Sequence, residues 1–128
     1  MNIKQKELCS KLAKMDSSEA VDWLIQNYPV SSIDYGEALA LIPHRSWRKD
    51  DQLRLARYYF TKLPFASARG YEAFASTMSI HNLILCISEN LPINELDKEL
   101  LLYHAIPTLN KAAKNERDQL LINKLQKN

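Results

Sequence analysis

Gly36 and Gly70 are the only glycines in this chain of 128 residues. Sandwiches, barrels and phosphate-cradling loops use glycine freely, because tight turns and close backbone approaches need a residue without a Cβ. A chain this poor in glycine is restricted to helices and short connections. No sustained two-residue alternation and no Asn-Gly or Asp-Gly hairpin turn argues for strands. Five prolines, Pro29, Pro43, Pro64, Pro92 and Pro107, each follow an apolar residue. The residue before a proline is pushed out of the helical region, so the prolines mark expected helix ends.

The intervals between them read as helices by apolar spacing. The first is expected over 2–14, with Ile3, Leu8 and Leu12 inward. The second covers 17–28, with Asp16 and Glu19 at capping-box spacing and Ala20, Val21, Leu24, Ile25 and Tyr28 on one face. A third covers 32–42, capped by Ser31 or Ser32, with Leu39 and Ile42 inward; a fourth covers 49–63, capped by Ser46 or Asp50. Residues 67–90 form one long helix or two broken near Ser79. A helix over 94–105 opens at Asn94, Pro107 opens a short turn to Ala113, and Asn115 caps a last helix with Leu121 and Leu125 inward. The expectation is an all-α fold: a single compact domain, 1–128, of about seven or eight short helices around one core. The segments do not match one another, so no repeat array is read from the sequence.

The totals fit an ordinary folded domain: 46% hydrophobic, 25% charged and a net charge of +2. Cys9 and Cys86 make no CxxC or Cys/His zinc spacing and are expected to be reduced. The N-terminal stretch MNIKQKELCSKLAKM lacks the apolar run of a signal peptide. The longest apolar runs, such as LILCI, are too short to span a membrane. The expected location is the cytoplasm, with no membrane partner.

Charge is unevenly distributed. Residues 1–43 carry four lysines against six acids, and residues 70–128 carry six bases against seven acids. Between them, residues 44–69 carry seven bases against Asp50 and Asp51, and five of the six arginines fall within 25 residues. In the fourth helix, at about 100° per residue, Leu53, Ala56, Phe60 and Leu63 share one side, and Arg54, Arg57, Tyr58 and Thr61 the other. Arg45, Trp47 and Arg48 precede this helix and extend the same surface, and Arg69 follows it. Two readings stand. One is a solvated face, with Asp50 pairing with Arg54 and Asp51 with Arg54 or with neighbours in the first turn, and with Trp47 a core anchor. The other is a partner-binding surface formed by Arg45, Trp47, Arg48, Arg54, Arg57, Tyr58 and Arg69. Arginine makes bidentate contacts and stacks on aromatics, and Arg, Trp and Tyr dominate interfaces. By contrast, the segment GYEAFASTMSIHNLILCI reads as core, with Gly70 permitting a tight helix entry.

Catalytic signatures are missing from the sequence. His44, His81 and His104 form no HExxH and no i, i+4 pair. His44 beside Ser46 lacks a nucleophile elbow and an oxyanion hole. The carboxylates Asp50–Asp51 and Asp97–Glu99 point in different directions on a helix. No enzyme activity and no cofactor or metal are expected.

The block ALIPHRSWRKDDQLRLARYYFTKLPFASARGYEAFASTMSI, with the later LLLYHAIPTL, resembles small helical immunity proteins of bacterial contact-dependent growth inhibition systems. The resemblance covers roughly residues 38–109. It implies a cytoplasmic antitoxin, monomeric before it meets its partner. The partner would be the toxic C-terminal domain of a large adhesin, often a nuclease, whose active site or substrate access is blocked. The contact would be the arginine face, or else the acidic flanks Glu95, Asp97 and Glu99, or Asp16, Glu19 and Asp22. The alternatives are another protein-binding adaptor, or a nucleic-acid-binding domain using the fourth helix. A nucleic acid is not the expected partner, since the pI is only about 8.5 and no helix-turn-helix spacing stands out.

Overall fold

The computed structural model describes residues 1–127. Among them, eight α-helices and two short 3-10 turns occur, with no strand. The helices are α1 (Ile3–Ala13), α2 (Ser17–Asn27), α3 (Gly36–Leu41), α4 (Lys49–Tyr59), α5 (Arg69–Ala75), α6 (Ile80–Glu89), α7 (Glu95–Ala112) and α8 (Glu116–Gln126). The 3-10 turns, Ile42–His44 and Phe60–Lys62, extend α3 and α4. The all-α class is thus as expected.

Asparagine starts three of the helices. Asn2 and Gln5 form a reciprocal capping box: the Gln5 amide donates to Asn2 Oδ1 at 2.7 Å and the Asn2 amide to Gln5 Oε1 at 3.1 Å. Asn94 accepts from the Leu96 and Asp97 amides at the start of α7, and Asn115 accepts from the Asp118 amide at the start of α8. Each cap satisfies amides that have no partner within the helix. Ser79 accepts from the Asn82 amide and begins α6, so residues 67–90 hold two helices, with the break where the sequence allowed one.

Several local expectations are corrected. Asp16 precedes α2 but makes no side-chain cap; its carboxylate is bonded to Arg48 instead. Residues 31–35 are turn and not the start of α3: the Ser32 amide donates to Pro29 O at 2.9 Å and the Ser32 hydroxyl bonds the Asp34 carboxylate. Helix α4 opens at Arg48, not Ser46 or Asp50. Ile3 is exposed; nine residues at about 100° each place it opposite Leu12. Pro107 does not divide the chain, because α7 runs through it for 18 residues. Proline there removes the N–H that would bond the Tyr103 carbonyl. The two halves stay aligned because Leu101 and Ala105 on one side of it, and Leu109 on the other, are all fully buried in one core.

The helices pack in two rows. Helices α1, α3, α5 and α7 contact one another in succession, as do α2, α4, α6 and α8, and the rows join through α5 against α6 and α7 against α8. Their inner faces make one core containing Leu24, Leu41, Leu55, Tyr59, Phe60, Tyr71, Phe74, Leu83, Ile87, Leu101 and Ile122. This succession of neighbouring pairs is the packing logic of stacked helical proteins, in which each pair touches mainly its neighbours. It places α4 between α2 and α6, and α7 at the end of its row. Gly70 begins the close approach of α5 to the preceding loop: a Cβ there would lie 2.5 Å from the Phe65 ring.

Candidate functional site

Most of the arginine-rich segment binds the protein itself. Arg45 points back across the end of α1, where one Nη donates to the Leu12 carbonyl at 2.7 Å and the Met15 carbonyl at 3.0 Å. Its guanidinium lies 4.6 Å from the Trp47 ring. A cation at a helix C-terminus meets carbonyls without intrahelical donors and the negative end of the dipole. Trp47 itself is buried, and its indole N–H donates to the Ile42 carbonyl at 2.9 Å. Its place is therefore the core and not an outward surface, because a large ring with one polar edge was satisfied internally.

The helix-borne arginines pair across helices. Arg48 bonds Asp16 at 2.8 Å and lies 3.6 Å from the nearly buried Asp51. Arg54 pairs with Asp22 of α2, and Arg57 makes a bidentate pair with Glu89 of α6 at 3.0 and 3.2 Å. Neither Asp50 nor Asp51 pairs with Arg54, because α2 and α6 bring acids to either side of α4; Asp51 instead meets its near neighbour Arg48 at the start of the helix. Held by the Arg57 hydrogen bonds, the Glu89 carboxyl titrates below the ordinary carboxylate range. Tyr58 is half-buried, and its hydroxyl accepts from the Val30 amide at 2.9 Å. Of the side of α4 expected inward, Ala56 and Phe60 are fully buried while Leu53 and Leu63 are only partly covered, and Leu55 and Tyr59 complete the buried face. The fully buried Tyr59 donates to the Tyr28 carbonyl at 2.9 Å.

Arg69 stands apart from the others. It is exposed on α5 and makes no ion pair among the described residues. It forms the ridge between two open grooves of about 540 and 360 Å³. The larger carries His44, Glu72 and Gln5 beside it, and the smaller carries Asp34 and Glu37. The grooves thus mix both signs of charge and select no one ligand. No cluster of three or more His, Cys, Asp or Glu side chains suited to a metal occurs among the described residues. Burial pushes the Cys9 and Cys86 thiols up, away from the reactive thiolate.

A second surface escaped the sequence reading. On α7, Leu96 is 76% exposed, Leu100 40% and Tyr103 74%, with Ile93 just ahead of the helix at 98%. Residues 96, 100, 103 and 107 lie within about 60° of one another around the axis, opposite Leu101, Ala105 and Leu109. The spacing that would have revealed the stripe was present, but α7 also carries a buried face. With apolar residues on two opposite sides, and Pro107 taken as a break, neither face of this helix was assigned from the sequence. Glu95, Asp97 and Glu99, named from the sequence as an acidic flank, are exposed on the same stretch of α7 as the stripe.

No helix among the described residues is long and apolar enough to cross a membrane. No family model matches the chain, and no curated protein or solved structure matches it either.

Proposed function

We propose that this chain is an immunity protein of a contact-dependent growth inhibition system. In this reading it acts in the cytoplasm, binds the toxic C-terminal domain of its cognate adhesin and blocks that domain's active site or access to substrate. It needs no cofactor and performs no chemistry of its own. The observation that carries this reading is the exposed apolar stripe on α7, where Leu96, Leu100 and Tyr103 share one face with Ile93 beside them; the other large exposed apolar residues, Met1, Ile3, Ile33, Leu85 and Leu120, are distributed over other parts of the chain. Apolar side chains gathered along one exposed face mark contact with another macromolecule. The stripe lies within the residues, roughly 38–109, that resemble this class of antitoxin.

The arginine face supports the reading less than the sequence suggested. Arg54 and Arg57 are already matched by Asp22 and Glu89. A phosphate backbone would have to displace both carboxylates, so no observation favours the nucleic-acid alternative. Growth rescue tests the function. The C-terminal domain encoded immediately upstream is induced in a naive host, with and without this chain. Restored growth is the expected result. Toxicity that this chain leaves unrelieved overturns the pairing.

A further inference from the structure

We infer that the outer face of α7 is a docking surface for a basic protein partner, with the Ile93, Leu96, Leu100 and Tyr103 stripe at its centre. The inference deepens the binding role proposed above by assigning the surface and the charge of what it meets.

The position of α7 in the fold comes first. It ends its row: one side packs on α5 and α8, and nothing among the described residues covers the opposite side. Helical stacks ordinarily finish in a polar outer face, because an apolar end exposes surface to water and invites association. Here the outer face carries three exposed apolar residues of α7, and Ile93 adjoins them. From Leu96 to Pro107 the stripe extends about 16 Å along the helix at 1.5 Å per residue. That length suits the centre of a contact, with the rest of a standard interface supplied by polar residues around it. Tyrosine, which combines a rigid ring with a polar tip, is among the residues that concentrate binding energy at such centres.

Charge selects the occupant. Residues 93–104 hold Glu95, Asp97 and Glu99 against Lys98, net −2 with His104 neutral. Lys98 lies 3.7 Å from Glu95, and its side chain is the more buried of the two. The acids bracket the stripe: at about 100° per residue, Glu99 falls on one flank and Asp97 on the other. A second copy of the chain would bring net negative surface against net negative surface. A partner with lysines or arginines around an apolar groove would instead be attracted and oriented. The acids also suit the dipole at the start of α7, but that role leaves the apolar residues between them unexplained.

The test uses the full chain and peptide probes. One probe is a 14-residue amphipathic helix of lysine and leucine; the control replaces every lysine with glutamate. Each is titrated into labelled protein while amide resonances are followed. Saturable shifts confined to residues 93–107 are expected with the lysine peptide, and at least tenfold weaker binding with the glutamate peptide. Leu100→Ser with Tyr103→Ser weakens the lysine peptide tenfold or more while helicity and melting stay unchanged. Glu95→Gln with Asp97→Asn and Glu99→Gln, which leaves the apolar residues intact, weakens it as well. Absent shifts at millimolar peptide, shifts centred elsewhere, or equal binding of both peptides overturn the inference. So does sedimentation that shows a dimer broken by Leu100→Ser, since a second copy then occupies the stripe. Peptide binding with failed growth rescue removes the toxin but keeps the surface; rescue without peptide binding keeps the toxin and moves its contact elsewhere.

Discussion

Arg45 gives the sharpest test of whether the arginines serve the fold or a partner. It was one of the residues expected to face outward, yet its guanidinium closes the end of α1 and covers Trp47. Arg45→Ala removes three charge-assisted hydrogen bonds, to the Leu12, Met15 and Ser46 carbonyls, and a cation–aromatic contact together. The Leu12 carbonyl keeps a backbone donor in the Met15 amide at 3.1 Å, so its loss is partial. With about 1 kcal/mol for each of the two part-buried hydrogen bonds, about 0.5 for the contact with Trp47 and little from the exposed bond to neighbouring Ser46, the expected loss is about 2.5 kcal/mol. For a domain of this size, a urea slope of about 2 kcal/mol per molar converts that into a midpoint lowered by about 1.2 M. Arg45→Lys keeps the charge but not the planar fork, and should recover less than half of the difference. Equilibrium urea unfolding followed by helicity, with wild type and both variants side by side, reads the effect. A midpoint within about 0.3 M of wild type for Arg45→Ala would refute the structural role. Lost partner binding at unchanged stability would return Arg45 to the interface.

Two further predictions concern α7 and the buried tyrosines. Pro107→Ala restores the amide that proline withholds from the Tyr103 carbonyl within α7. Proline costs about 3 kcal/mol relative to alanine inside a helix, partly offset because it also restrains the unfolded chain, so the variant should be about 1–2 kcal/mol more stable by urea unfolding; an unchanged or lower midpoint contradicts the account. Burial pushes the Tyr71 phenol up to about 12 and the Tyr59 phenol higher still. Their folded values lie above the unfolded one near 10, so their stabilising contribution is complete below about pH 10 and is lost as pH rises through the folded values. Phenolate absorbance and helicity followed together above pH 10 should show these two groups ionising as the helices melt; full ionisation of all six tyrosines with helicity intact would show that neither is held by the core.

Helix content was legible because its determinants are local. Scarce glycine, apolar spacing and the asparagine caps at Asn94 and Asn115 act within one or two turns of chain. The errors fall where tertiary contacts outweigh a local preference. Pro107 favours a break, but buried residues on both sides hold the two halves in line. Asp16 has the spacing of a cap, but Arg48, 32 residues away, takes its carboxylate. The two-row order of the helices has no signature in a sequence whose segments do not repeat, because pairing between helices depends on the shape of whole faces.

The arginine block misled for the same reason, and its resolution bears on function. Arginines grouped on one helical face look unpartnered when the chain is read in one dimension. Arg48, Arg54 and Arg57 all find acids 32 residues away apart from the nearer Asp51. That constant offset is what a helix lying between two neighbours in a row produces, since α2 and α6 stand symmetrically before and after α4 in the chain. Once those pairs are formed, the basic middle presents far less unmatched charge than its sequence suggests. Arg69 is the exception, and it sits among carboxylates in open grooves. Ile3, Ile33, Leu85 and Leu120 are exposed elsewhere, but the feature of the exterior that gathers several side chains on one face is then apolar rather than basic. It lies on α7, where the row of helices ends with side chains that a further helix would ordinarily cover, and where acids on both flanks restrict which partner can cover them.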